Sequence, residues 1–218
     1  MPTAPQTALI FDLDDTLVLS HIDFTAVRHR LIDLLEAAGV ADEPRELRMR
    51  RSLPDLADRG AAVGPALAAQ MWEVIRAAEL QGLARARPAE QAVEVLGELG
   101  RRGHRLALLT NNARDGLMAR LQAWHLASPF DIVATRDDVP ALKPAPGGVL
   151  HVLTHLPGMR GAYLIGDAWI DAQAARDANI PFIGIGGKRA TVESRGIPIW
   201  AWVATLPALL SLDLTDRP

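Results

Sequence analysis

An apolar run, Ala8-Leu9-Ile10-Phe11, ends abruptly in Asp12-Leu13-Asp14-Asp15, which places three acids in four positions. Four apolar residues bounded by polar ones read as a buried strand. In α/β sheets, ligand sites lie just beyond the carboxyl ends of such strands. Asp12 and Asp14 are two apart, so an extended backbone points both to one side. Carboxylates that close raise each other's pKa unless a cation lies between them. The pair therefore marks a metal site, an acid/base pair, or both.

The chain then changes character twice. From Val18 to Arg87 there is no convincing strand. Ile22 to Ala38 carries apolar residues at helical spacing (Phe24, Val27, Leu31, Leu34, Leu35) and stops at Gly39. Gly64 to Leu83 is Ala-rich with an apolar stripe of Leu67, Met71, Val74 and Ile75. The Arg-rich stretch from Pro44 to Gly60 reads as partly helical. This is a small helical insert. From Pro88 onward, helices and strands alternate. Helices are expected over 88–102 (with Pro88 in the first turn), 114–125, 146–156, 168–179 and 207–212. Strands are expected over 104–110, 130–134, 162–165, 182–185 and 199–203. Such alternation argues a parallel sheet with right-handed crossovers.

Composition narrows the function. A chain of 218 residues with 49% apolar content can bury a sizeable core. Its net charge of −3 offers no concentrated basic face for nucleic acid. It has no cysteine, which excludes disulfides and thiolate chemistry. No Lys or Arg precedes Arg28, against a signal peptide, and Ile197 to Leu212 is too short and too interrupted by Pro198, Thr205 and Pro207 to span a bilayer. A cytoplasmic protein, not embedded in a membrane, is expected.

Each later strand ends in a distinctive polar residue: Thr110-Asn111-Asn112 after the second, Lys143-Pro144 beyond the third, Gly166-Asp167 after the fourth with Asp171 four further on. Carboxyl ends of parallel strands converge on one sheet edge, where these residues can meet Asp12 and Asp14. Lys143 stands out because the chain has 21 Arg and only two Lys. A compact ammonium differs chemically from a guanidinium fork. The other lysine, Lys188, in the loop Gly186-Gly187-Lys188-Arg189, reads as an unselected surface cation. Thr110 taken singly is an ordinary helix N-cap. Asp15 and Thr16 read as turn formers. His151 and His155 have metal-compatible spacing but no evident third ligand, and His21 reads as an exposed hinge residue.

Taken together, Asp12-Leu13-Asp14-Asp15-Thr16-Leu17, Thr110, Lys143-Pro144 and Gly166-Asp167-Ala168-Trp169-Ile170-Asp171, in that order, resemble the haloacid dehalogenase-like hydrolase superfamily. The insert and the stretch Ala174 to Pro181 are similar to its phosphoglycolate-phosphatase and phosphoglucomutase-like branch. Asp15 departs from the pattern, since many relatives have Gly there. The resemblance implies an α/β fold with a Rossmann-like parallel sheet core (1–17 and 88–218) and a small all-helical cap inserted after the first strand (18–87).

It further implies a Mg²⁺-dependent phosphatase acting on a small phosphorylated metabolite. Asp12 would attack phosphorus to give an aspartyl-phosphate, and Asp14 would act as acid, then base. Asp12, the backbone carbonyl of Asp14, and Asp167 would hold Mg²⁺. Thr110 and the Asn111 N–H would hold phosphate oxygens, and Lys143 would offset their charge. Asp171 is either a further metal-shell group or the partner that orients Lys143. The cluster of Arg45, Arg48, Arg50 and Arg51 is either a solvated helix face or an anion-reading loop, with Arg48, Arg50 and Arg51 the candidates for reading an anion; the insert as a whole is neutral, with ten Arg and ten Asp/Glu between Val18 and Arg87. A phosphomutase would use the same residues. A metal-independent dehalogenase would leave Asp14 idle, and a phospho-accepting receiver-like domain would order its acids differently. Both monomer and homodimer are compatible with the sequence.

Overall fold

The computed structural model describes residues 7–214. In chain order, β1 (Thr7–Phe11) and β2 (Val18–Leu19) precede four helices, α1 (Phe24–Ala37), α2 (Arg45–Arg48), α3 (Leu53–Val63) and α4 (Pro65–Arg85). Then come β3 (Arg87–Pro88), α5 (Ala92–Arg101), β4 (Arg105–Leu109), α6 (Leu117–Ala123), β5 (Ile132–Ala134), α7 (Gly147–His155) and β6 (Gly161–Gly166). The chain closes with α8 (Trp169–Asp177), β7 (Phe182–Ile185), α9 (Arg189–Glu193), β8 (Ala201–Val203) and a 3₁₀ turn, Leu206–Ser211. The chain divides into two compact units, Met1–Ser20 with Ala86–Pro218, and His21–Arg85. Among the described residues, no helix is long and apolar enough to cross a membrane.

The first unit is built on a six-stranded sheet in the order β5-β4-β1-β6-β7-β8, with every neighbouring pair parallel. Both faces are covered by helices, so the strands read as continuous apolar runs rather than alternating ones. All five residues of β1 are buried. Register then fixes the site: Phe11 pairs with Leu108 on one side and Ile165 on the other. Asp12, Leu109-Thr110 and Gly166-Asp167 therefore leave the sheet at one level, on strands about 4.8 Å apart. The second unit packs α1, α3 and α4 around Val27, Leu31, Ile32, Leu35, Leu56, Met71 and Ile75. Asp23 caps α1 through the Ala26 N–H at 2.9 Å, and Ser52 caps α3 through the Asp55 N–H at 3.2 Å.

Several expectations need correction. Pro88 lies in a strand, not in a helix turn: Val18–Leu19 pairs antiparallel with Arg87–Pro88, and α5 begins only at Ala92. A two-residue ribbon is too short to show any periodicity, and its open edge tolerates a residue with no N–H. α6 starts at Leu117, after Gly116 at φ 72°, rather than at Arg114. The last expected helix is the 3₁₀ turn, and α9 was not foreseen. His21 is exposed at φ 54°, one residue past Ser20.

Gly184 shows how tightly β7 and β8 pack. It pairs with Trp202, and a Cβ there would lie 2.0 Å from the indole. That indole is itself fixed, donating from Nε1 to the Gly186 carbonyl at 2.8 Å. Gly184→Ala should cost about 1–3 kcal/mol by overpacking. Urea unfolding should show this loss shrinking when Trp202→Leu is also present. An undiminished loss in the double variant would place the strain elsewhere.

Candidate active site

Lys143 organises the sheet edge. Its ammonium has three protons and three acceptors: Asp12 Oδ1 at 2.5 Å, Asp171 Oδ1 at 2.6 Å and the Leu109 carbonyl at 3.0 Å. Lys143 and Asp171 are each 1% exposed, so both charges are out of water. The backbone at Lys143 is gripped in turn by the Asn111 side chain. Its amide nitrogen donates to the Lys143 carbonyl at 2.8 Å, and its oxygen accepts from the Lys143 N–H at 3.0 Å. Burial alone would lower the Lys143 pKa, but Asp12 and Asp171 hold it above the ordinary lysine value.

Asp171 sits in the first turn of α8, where its Oδ2 accepts from the Ala168 N–H at 3.1 Å. A Cβ on Gly166 would come 2.6 Å from the Asp171 Cγ. The glycine before Asp167 is thus what lets Asp171 approach Lys143. Of the two roles open to Asp171, the contacts display the Lys143 partner, although its carboxylate also lies within 4.8 Å of those of Asp12 and Asp167.

Asp12 leaves β1 with its N–H on the Ile165 carbonyl at 2.8 Å, one step beyond the strand. Burial raises its carboxyl well above the usual range; Lys143 pulls it back, while Asp171, Asp167 and Asp14 push it up. Burial likewise lifts Asp167 to about 7, with Asp171 adding and Lys188 opposing. Asp14 has a different environment, its Oδ2 accepting from the Asn112 Nδ2 at 2.9 Å. Thr110 is buried, and its hydroxyl accepts from the Asn112 N–H at 3.1 Å.

Two residues carry more than the sequence suggested. Asn112 positions Asp14, and only its place beside Thr110 pointed to it. Lys188 is not an unselected surface cation: its ammonium bonds Asp167 Oδ2, and Asp15 Oδ2 at 2.9 Å. The scarcity of lysine that marked Lys143 marked Lys188 equally. The arginine cluster also needs correction. Arg48 does not lie on a solvated face: it is buried and donates to the Val40 carbonyl at 3.2 Å and to Glu36 at 2.9 Å, both within the second unit. Arg51 is engaged with Glu43 and Asp55. Arg50 is exposed. His151 and His155 lie on one helix face with ring centroids 4.4 Å apart and planes tilted by 34°.

The donor set suits a hard divalent cation. Asp12, Asp167 and Asp171 offer buried carboxylate oxygens, and each already bonds a lysine ammonium, Lys143 for Asp12 and Asp171 and Lys188 for Asp167. Five acids (Asp12, Asp14, Asp15, Asp167, Asp171) stand here against two lysines.

Residues 9–185 match the family model described as haloacid dehalogenase-like hydrolase. A phosphoglycolate phosphatase of Caulobacter vibrioides is 30% identical over 200 residues, covering 86% of this chain and 83% of that protein. Pyrophosphatase PpaX of Bacillus velezensis is 32% identical over 97 residues, 44% of this chain and 45% of that protein. A hydrolase from Pseudomonas syringae has the same fold, with TM-score 0.70 and 23% identity over 94% of this chain and 97% of that one.

Removing the buried cation leaves Asp12 and Asp171 facing each other. Lys143→Met should destabilise the protein by about 3–5 kcal/mol, as breaking a buried pair does. Adding Asp171→Asn should return part of that loss, measured by urea unfolding in chelator. Wild-type stability in Lys143→Met would show that the acids do not depend on this ammonium.

Proposed function

Because the chain belongs to the haloacid dehalogenase-like hydrolase family, we propose that it is a phosphatase that hydrolyses a small phosphorylated metabolite through a covalent phosphate on Asp12. The observation that carries this reading is the unequal treatment of two nearby carboxylates. Asp12 is buried and tied to Lys143, whereas Asp14 is tied to a neutral amide, Asn112. Two carboxyls in different environments can take different roles.

Asp12 is the nucleophile. Lys143 takes one carboxylate oxygen, and the other attacks phosphorus as the bond to the leaving oxygen breaks. Asp14 gives its proton to that oxygen, so the product departs as an alcohol. Asp14 then removes a proton from water, which attacks phosphorus and returns Asp12 to its free carboxylate. The covalent step splits one high barrier into two lower ones. The Thr110 hydroxyl and the Asn111 N–H bind non-bridging phosphoryl oxygens, and the Lys143 charge offsets the anion. Asp12, Asp167 and the Asp14 carbonyl would hold Mg²⁺, which supplies charge neutralisation at the phosphoryl group. Similarity to a phosphoglycolate phosphatase over most of both chains favours two- and three-carbon phosphorylated acids as the first substrates to assay.

Chelation should abolish hydrolysis of p-nitrophenyl phosphate and added Mg²⁺ should restore it; full activity in excess chelator would sink the metal assignment. Asp12→Asn should eliminate turnover, since an amide is no nucleophile. Asp14→Asn should lower kcat about 10²–10⁴-fold, the usual contribution of a positioned acid/base. A near-normal kcat in Asp14→Asn would remove Asp14 from its proposed role.

A further inference from the structure

Both lysines of the chain lie in this site, although 21 other cationic side chains are arginine. Lys143 is sealed in by three acceptors, but Lys188 is not sealed. It follows the Gly186-Gly187 turn after β7 at the start of α9, and its side chain is 47% exposed. Its ammonium bridges two carboxylates of unlike burial. Asp167 is almost wholly buried, whereas the Asp15 side chain is 38% exposed. The three residues come from three different turns, after β1, β6 and β7.

Asp15 is held in an unusual way. It adopts φ 56°, a left-handed conformation that disfavours residues other than glycine, and its N–H donates to the Val18 carbonyl at 2.7 Å. The backbone of this turn thus accepts some strain while its side chain holds the outer end of the lysine. A four-carbon stem with a compact ammonium can shift between two neighbouring acids, which a planar guanidinium fork does less readily.

We infer that Lys188 is a tethered counterion of the cation site, holding Asp167 when Mg²⁺ is absent and passing to Asp15 when Mg²⁺ takes Asp167. This rests on the Mg²⁺ reading proposed above. Asp167, which Lys143 does not reach, then never stands without a cation, and the tether competes with the metal. Mg²⁺ binding is therefore weaker than the acids alone would make it. Asp15 is a positioning residue in this scheme, the acceptor that lets Lys188 withdraw.

Titration of chelator-stripped protein with Mg²⁺, by calorimetry and by the rise of Tm, tests this without recourse to activity. Lys188→Gln should tighten the Mg²⁺ Kd roughly tenfold, the size expected for removing a unit charge a few ångströms from a divalent ion in a solvated site. It should also lower Tm in chelator and regain it in Mg²⁺, which shows that the variant folds; Lys188→Met serves as a second removal. Lys188→Arg, which keeps the charge, should stay within a few-fold of wild type. Asp15→Asn should weaken Mg²⁺ binding, and by a smaller factor when Lys188→Gln is already present. Weaker or unchanged Mg²⁺ binding in both Lys188→Gln and Lys188→Met would overturn the inference. So would an Asp15→Asn effect of equal size in both backgrounds, which is what a simple through-space field gives. Wild-type protein that binds no Mg²⁺ would overturn the metal reading and the tether with it, whereas normal wild-type binding with unresponsive Lys188 variants overturns the tether only.

Discussion

The Lys143 ammonium is the contact on which the rest of the site depends. It joins a carboxylate from the first strand, a carboxylate from the first turn of α8 and a carbonyl from the end of β4. A single buried positive charge thereby fixes three elements against one another. Its own backbone is held by Asn111, so the loop after β5 cannot drift without breaking two amide hydrogen bonds. Burying a charge is costly unless every proton finds an acceptor, and here each one does.

Around that charge, the parallel register supplies the rest. Pairing of Phe11 with Leu108 and Ile165 brings three strand ends to one level. The strand-and-helix alternation and the placing of polar residues at the strand ends were legible because both rest on local signals. Buried parallel strands are short apolar runs, and ligand-binding residues follow them directly. Asp12, Thr110, Lys143 and Asp167 could be placed on one edge from the residue pattern alone. The functions assigned to them remain a proposal that the geometry supports.

What escaped the sequence was decided by contacts between distant segments. Nothing local shows that Gly166 must lack a Cβ because Asp171 passes over it. Nothing near Arg48 shows that it turns inward to Glu36 and Val40 rather than outward to a ligand. Lys188 is the instructive case. The compositional reasoning that picked out Lys143 applied to it equally, yet its loop carried no motif, and only the fold brings residue 188 to residues 15 and 167. The ribbon of Val18–Leu19 with Arg87–Pro88 was likewise invisible, since two residues carry no period.

The central claim is that the covalent intermediate forms on Asp12. Brief reaction with a good phosphate donor, borohydride reduction and peptide mass spectrometry would locate it, because an acyl phosphate is reduced where a free carboxylate is not. The account predicts reduction at position 12, in the peptide spanning the end of β1, and nowhere else in the chain. Reduction at Asp14, Asp167 or Asp171 instead, or at no residue under turnover conditions, would contradict it.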